Sequence, residues 1–437
     1  MSRDRHWQLA ITPLSPVHLG SGQDYEPTGY VIDDGALFEF DGLAALGVLP
    51  GAERAKLGNI LNGRPTQAML RQVQAFFYGN RDRLIAASRR VVRVSPSMEA
   101  FYGDRIGPVA QRETGGREVQ NRLEIERTAY NPVNGAPILP GSGIKGAIRT
   151  ALLDVANDGR SLPPELKGDR SANLKLQQLL FRYRPGKFEL DPMRLVRLAD
   201  AAPVAPHALA TQVHFAVNRK KQPVTVNGRL VDSQAEQKGL YQLLECLPSF
   251  QERAFRSQLS IQDTGAVESR HWPDATLRFD LEVIATACNR FYRPILEQET
   301  RLLRERGFLD EGWDESLQRL LQGPAGDALE SNRAFLLRVG RHSGAESVTL
   351  NGVRDIKIIK GRGERPEWLP AAKTLWLAAE DPGQQQGLLP FGWLLIEPYQ
   401  ESERPPDLDL SGFAGDLVDW RRRVQARITR ARADAGA

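Results

Sequence analysis

The sequence predicts an α+β or α/β domain with insertions, and two observations carry that expectation. β-prone and helix-prone runs interleave along all 437 residues, which argues against an all-helical array and against a β-sandwich. No segment recurs at a fixed period, which argues against a solenoid. Length alone permits either two or three domains or one heavily inserted domain.

Trp7, Leu9 and Ile11 alternate with polar or small neighbours up to Pro13, the pattern of a half-buried strand that ends where proline withholds a backbone donor. The glycine-rich stretch Ser15-Pro16-Val17-His18-Leu19-Gly20-Ser21-Gly22 follows. Asp34-Gly35 between two β-prone runs predicts a hairpin over 30–40. Residues 42–88 turn helical in pattern, broken at Pro50, Gly63 and Pro65, and read as an inserted lobe. Residues 102–122 carry Gly103, Gly107, Gly115 and Gly116 among many charges and read as an extended projection that orders on a partner. A strand resumes at 123–128, and 141–155 is the clearest amphipathic helix of the chain. Further strands are expected at 188–198, 211–217, 276–284, 335–339, 357–360, 374–378 and 393–396. Helices are expected at 174–181, 290–306 and 317–321, with an Arg-rich helix at 420–432.

The composition bounds the function without naming it. With 41% hydrophobic and 26% charged residues the chain falls in the ordinary globular range. A net charge of +4 from 58 basic and 54 acidic residues is too small to identify a nucleic-acid binder, so any basic surface is local. Cys246 and Cys288 form no CxxC and have no histidine at ligand spacing, which speaks against a disulfide framework and a structural zinc site and for a reducing cytoplasm. The first residues lead straight into alternation, and no stretch approaches the roughly 18 uncharged apolar residues of a membrane span, so a cytosolic protein is expected.

Ile144, Ala147, Ile148, Ala151, Leu152 and Val155 follow the spacing of one buried helical face, while Lys145 and Arg149 lie four apart away from its centre. Gly141 and Gly143 permit close backbone approach, and Ser142 is placed to cap the helix, so the free amides and the positive dipole end favour a phosphate. A capped core helix with two solvated basic residues fits the same pattern. An NTP loop does not, because Gly146 and Ala147 follow Lys145 where GxxxxGK[ST] requires a hydroxyl residue. Glycines 20 and 22 suit an anion cradle, and His18 is placed to donate to phosphate or to exchange protons with a ribose hydroxyl, a hydrogen-bonded structural histidine being the plainer alternative. The β-prone run ending at Arg338-Val339 enters Gly340-Arg341-His342-Ser343-Gly344, with Lys357, Lys360, Arg362 and Gly363 beyond. Arg338, Arg341, His342, Lys357 and Lys360 therefore suit a grip on phosphates that reads no bases, or else belong to a solvated loop. Phe391 and Trp393 read as core. The Arg-rich C-terminal helix reads as a solvated face, with RNA or a neighbouring subunit as its functional option.

In order and spacing, His18-Leu19-Gly20-Ser21-Gly22, Pro140-Gly141-Ser142-Gly143-Ile144-Lys145-Gly146-Ala147-Ile148-Arg149, the Arg338-Val339-Gly340 loop and Leu389-Pro390-Phe391-Gly392-Trp393 together resemble the RAMP superfamily of CRISPR-associated proteins. Within it, the stretch from His18 to Tyr25, followed by Pro27 and Tyr30, is most similar to the filament-capping RAMP subunit of the type III-A Csm effector complex. The resemblance touches both ends of the chain and leaves the helical lobe and residues 200–330 with little signature. It implies an α+β fold with an RRM-like (ferredoxin-like) RAMP core and Gly-rich loops over 1–400, with insertions at 42–90 (helical), 100–137 (extended loop) and 160–186 (helical), and a basic helical segment at 401–437. It also implies a cytoplasmic, non-catalytic subunit that binds the 3′ portion of the CRISPR RNA and contributes to its maturation and to antiviral defence. Its implied partners are CRISPR RNA, other Csm-complex RAMP subunits and target RNA, with no cofactor, metal or membrane. By motif the leading RNA-binding residues are Gly141, Ser142, Gly143, Lys145 and Arg149, then His18, Gly20, Ser21 and Gly22. Where members often carry a second serine this chain has Gly143, so only backbone donation remains there. A guide of any sequence must be held by sugar and phosphate with its base edges free, which agrees with this set. Related filament subunits cut target RNA with a loop aspartate, which raises Asp24, Asp33 and Asp34. The capping subunit is not expected to cut, Asp34 has a turn role, and Asp24 has no acidic neighbours suited to a metal. Two alternatives stay open: a metal-independent RAMP endoribonuclease that processes CRISPR RNA with His18 as general acid or base, and a RAMP subunit of the related Cmr complex.

Overall fold

The computed structural model describes residues 3–106, 123–205, 209–226, 228–231, 241–265, 270–358, 365–400 and 415–436. The alternating segment at the N-terminus forms the strand Arg3–Pro13, which buries Leu9 and Ile11 completely. It pairs antiparallel with Phe255–Asp263 on one side and Trp393–Tyr399 on the other. Val196–Leu198 and Phe335–Arg338 extend this sheet at its two edges, again antiparallel. The helices Gly141–Asn157 and Leu281–Glu305 pack on one another and on this sheet, and the Tyr292 hydroxyl donates to the Ala147 carbonyl at 3.0 Å. Strand, helix, strand, strand, helix, strand in this neighbour order is the ferredoxin-like arrangement, with one extra edge strand.

A second sheet grows out of the connections. Its main path runs Gly20–Tyr25, Ile125–Thr128, Tyr241–Cys246, Gln212–Lys220, Arg90–Arg93, Ala36–Glu39, Tyr30–Asp33, and Thr374–Ala379 also pairs with Gln212–Lys220. The Asp34-Gly35 turn has both residues at positive φ, 51° and 72°, as a tight two-residue hairpin demands. The expected lobe consists of the helices Gly42–Val48, Gly51–Leu61, Gln67–Gly79 and Arg81–Ala86, interrupted where Pro50 and the stretch holding Gly63 and Pro65 fall. The helix Gly415–Gly436 docks on it, burying Leu417, Trp420, Val424 and Ala431 in one cluster with Leu84 and Ile85. Trp420 Nε1–H donates to the Gly35 carbonyl at 2.9 Å, so the basic C-terminal segment is part of the lobe's core.

Several expectations change. Of the extended projection, its first part is helix: Pro96–Ile106 buries Met98, Phe101, Tyr102 and Ile106 at three- and four-residue spacing. Most of the projection, 107–122, lies outside the described residues. The strand expected at 276–284 is a short turn and a helix start, because the Asp280 carboxylate caps Val283 N–H at 2.9 Å and outweighs the period-two look of Leu277, Phe279 and Leu281. At 188–198 two 3₁₀ turns precede a three-residue strand. Helix within 160–186 is confined to Pro164–Leu166 and Ala172–Leu180. The strands Arg90–Arg93, Tyr241–Cys246 and Phe255–Asp263 had no counterpart in the sequence reading.

Candidate nucleic-acid interface

The glycine motifs, more than 300 residues apart in the chain, meet around His18 and Leu19. Gly392 N–H donates to the Pro16 carbonyl and Arg341 N–H to the His18 carbonyl, each at 2.9 Å. Gly340 sits at φ 81°, and a Cβ there would collide with the His18 carbonyl oxygen, so only glycine lets the two loops touch. Leu19 fills the space between them and the helix: a Cβ on Gly143 would lie 3.2 Å from its Cδ2, and one on Gly340 3.5 Å. On the outer side Gly20, Ser21 and Gly22 form an exposed strand edge, with Ser21 Oγ donating to the Arg127 carbonyl at 3.0 Å.

The helix start differs from expectation. Pro140 is the cap residue and no side chain caps the turn, so Ser142 is not the cap. Gly141 N–H instead donates to Asp200 Oδ1 at 2.7 Å, and a Cβ on Gly141 would strike the Leu198 and Ala199 carbonyls at 2.6 and 2.7 Å. Gly141 is therefore a packing glycine, walled off by 198–200, while Ser142 and Gly146 are exposed and Gly143 and Lys145 half-buried. Burial pulls the Lys145 ammonium below its ordinary value, Asp191 opposes this, and no hydrogen-bonding or ion-pair partner engages Lys145 among the described residues.

Other expected contacts point inward. Arg149 donates to both Asp191 oxygens at 3.0 and 2.8 Å and to Gln177 at 2.9 Å, with its guanidinium 5.0 Å from the Phe181 ring. Arg338 belongs to the core: it is 4% exposed, donates to Glu299 at 2.8 Å and to the Phe391 carbonyl at 2.9 Å, and Trp393 Nε1–H donates to the second Glu299 oxygen. A side chain in that position grips protein, not phosphate. His342, at φ 61°, stacks on Trp376 with centroids 4.7 Å apart and shares a hydrogen bond with Gln242 at 2.8 Å. Burial, with Arg341 and His18 nearby, pushes its pKa down to about 4, so it is a neutral packing residue. Lys357 is exposed on the hairpin Ile356–Ile358 with Glu367–Leu369, away from these contacts in sequence and sheet, whereas Lys360, Arg362 and Gly363 lie outside the described residues. Asp33 is held by Arg81 at 3.0 Å and Arg427 at 2.8 Å.

His18 is 1% exposed. Its Nδ1 lies 2.7 Å from the Glu245 carbonyl, which can only accept, so Nδ1 carries the proton and the neutral ring presents a bare Nε2. Nε2 has no hydrogen-bond partner among the described residues and faces Glu126 at 4.0 Å. Burial lowers the His18 pKa against the raising effects of its backbone bond and of Glu126 and Glu245. A ring so placed cannot donate to a phosphate while neutral.

Sequence reasoning missed the residues that fix this geometry. Glu245, fully buried, accepts from Tyr25 (3.0 Å), Thr128 N–H (3.1 Å), Arg90 (2.6 Å) and Thr211 (2.6 Å), tying four strands beneath the glycine edge. Its strand is short and carries little alternation, so the only available signal was a lone Glu between Leu244 and Cys246. Glu126 lies in the strand expected at 123–128 and Asp200 among small apolar residues, and nothing in either run marked the carboxylate as a partner.

This convergence defines a class. A superfamily model described as "RAMPs: RAMP superfamily" matches residues 10–322, and the chain belongs to that superfamily. It is similar to the CRISPR system Cms protein Csm5 of Streptococcus thermophilus, 24% identical over 219 residues, which is 46% of this chain and about half, 52%, of that relative's length. Among solved structures it is similar to a chain in the cryo-EM structure of a Csm-crRNA-target RNA ternary complex of a type III-A CRISPR-Cas system, at 17% identity and TM-score 0.53, covering 91% of this chain and 100% of that one. A second is the crystal structure of T. onnurineus Csm5, at 17% identity and TM-score 0.49, covering 89% and 99%. At this identity the first of these structures shows a shared fold, in accord with the ferredoxin-like core described above. No helix among the described residues is long and apolar enough to cross a membrane.

Proposed function

We propose that this chain is a non-catalytic subunit of a type III-A CRISPR (Csm) effector ribonucleoprotein that grips the 3′ portion of the CRISPR RNA and caps a filament of RAMP subunits, thereby contributing to guide maturation and antiviral defence. The observation that carries this reading is the closure of three glycine motifs around Leu19, which leaves the Gly20-Ser21-Gly22 edge, Ser142, Gly143 and the unengaged Lys145 along one seam with Arg341 beside it. Such a seam offers an exposed glycine-serine edge and cations, which suits a grip on the sugar-phosphate backbone of a guide of any sequence. RAMP membership and the likeness to Csm5 support the assembly, and CRISPR RNA, target RNA and neighbouring RAMP subunits are its partners in this reading. His18 would be the residue of a metal-independent nuclease, and its burial beneath Gly20 with a bare, inward Nε2 favours binding over cleavage.

The test is Ser142→Glu in the full chain, titrated with single-stranded RNAs of unrelated sequence. A carboxylate in the first turn suits the helix dipole, so thermal stability is retained or raised. It repels phosphate, so affinity falls about tenfold for every sequence. Wild-type affinity in a well-folded Ser142→Glu protein would refute the reading.

A further inference from the structure

Glu126 is a carboxylate inside a seam read as a phosphate grip. It projects from the strand Ile125–Thr128, is 30% exposed, and forms an ion pair with Arg341 while standing 4.0 Å from the bare Nε2 of His18. The Arg341 backbone is pinned by its amide bond to the His18 carbonyl, but its side chain is 41% exposed and free to swing outward. A neutral His18 and the Glu126 carboxylate turn lone pairs toward each other, an arrangement tolerated because the Arg341 guanidinium covers the carboxylate.

Resting on the RNA-binding reading above, we propose that Glu126 positions Arg341 as an internal stand-in for a phosphodiester, and that when RNA draws Arg341 away, His18 takes up a proton and replaces it as the partner of Glu126. The balance is one proton from solvent to Nε2 for one guanidinium transferred from Glu126 to phosphate. His18 is the group placed to do this. The groups facing it are Glu126 from the neighbouring strand, Glu245 from the strand beneath, and Arg341 and His342 from the 338–344 loop. In the free chain burial lowers the His18 pKa and Arg341 lowers it further, whereas Glu126 raises it. Removing Arg341 and leaving Glu126 unpaired moves His18 upward, so the bound state holds the extra proton. By linkage RNA affinity then rises as pH falls from about 8 toward about 5.5, a window above the ordinary carboxylate range.

The experiment measures RNA affinity of the full chain, with one unstructured single-stranded RNA as probe, across that pH window for the wild type, Glu126→Gln, Arg341→Ala and the double variant. Glu126→Gln keeps the side-chain volume and is expected to bind about threefold to tenfold tighter at pH 8, since the competitor for Arg341 is gone. It is also expected to lose most of the pH dependence. In the Arg341→Ala background Glu126→Gln gives no comparable gain, because the two residues act through one contact. A gain of equal size with and without Arg341, or a wild-type pH profile in Glu126→Gln, overturns the proposal. If those results come while Ser142→Glu still lowers affinity for every sequence, the RNA-binding reading survives alone; failure of the wild type to bind RNA at all sinks both.

Discussion

The glycine seam and the helical lobe are both rich in arginine, yet they use the charge in opposite ways. In the lobe, Arg427 lies between Asp33 and Asp82, Arg81 also holds Asp33, and Trp420 is bonded to the Gly35 carbonyl, so the basic C-terminal helix is neutralised where it docks. Along the seam, the Lys145 ammonium has no hydrogen-bonding or ion-pair partner among the described residues, Arg341 is paired with the part-exposed Glu126, and the acids Glu245 and Glu299 are held by buried partners. Basic composition therefore says little about where a polyanion lies; the partner already supplied by the fold decides it. A cation matched by a carboxylate inside the fold is architecture, one with no such partner beside exposed glycine is available for binding, and Arg341, paired with the part-exposed Glu126, stands between the two.

That contrast predicts a graded set of stability effects. The largest falls on Arg338→Ala, which strands the Glu299 carboxylate in the core and is expected to cost about 3–5 kcal/mol. Chemical denaturation reads this directly, and a loss under 1 kcal/mol would mean that Arg338 is not the structural partner described here. Arg149→Ala comes next, at about 2 kcal/mol, because a part-buried bidentate pair with Asp191 and the bond to Gln177 are lost together. If Arg149 were instead a phosphate ligand, its removal would lower RNA affinity at unchanged stability.

The pairing of residues with roles was only partly legible in the sequence. Period-two alternation revealed the strand Arg3–Pro13, the Asp34-Gly35 pair revealed the hairpin, the apolar run at 393–396 revealed the start of Trp393–Tyr399, and the buried stripe from Ile144 to Leu152 revealed the central helix. Phe255, Ser257, Leu259 and Ile261 alternate just as clearly, yet the sequence reading assigned that segment no element. The glycine motifs could be found locally, since each glycine answers a steric demand that leaves a mark in the sequence. Their convergence on Leu19 could not, because it depends on which strands pair across 378 residues, as when Trp393 N–H finds Ser15 Oγ. For the same reason Lys145 and Arg149, four residues apart on one helix, looked equivalent: Asp191, brought in by a remote turn, bonds directly to Arg149 and acts on Lys145 only at a distance.

The lobe gives a smaller effect. Arg427→Ala is expected to destabilise by about 1 kcal/mol, since Asp33 keeps Arg81 as a second partner and Asp82 is largely exposed. RNA affinity should not change. A drop in affinity at constant stability would move the C-terminal helix into the RNA-binding surface and dissolve the contrast between the two regions.

Lys145→Ala completes the series with almost no stability effect and the clearest functional one. The side chain is half-buried and its ammonium has no hydrogen-bonding or ion-pair partner among the described residues, so truncation breaks no ion pair and the unfolding midpoint should move little. One phosphate contact is lost, so affinity falls by a similar factor for every RNA sequence and the slope of log K against log salt shallows by about 0.7 for a single strand. Read beside Arg149→Ala, one turn further along the same helix, the two substitutions exchange signatures: stability without affinity for Arg149, affinity without stability for Lys145. Because helix, neighbourhood and charge are shared, the split isolates a direct bond to a protein carboxylate as the variable that separates these two cations.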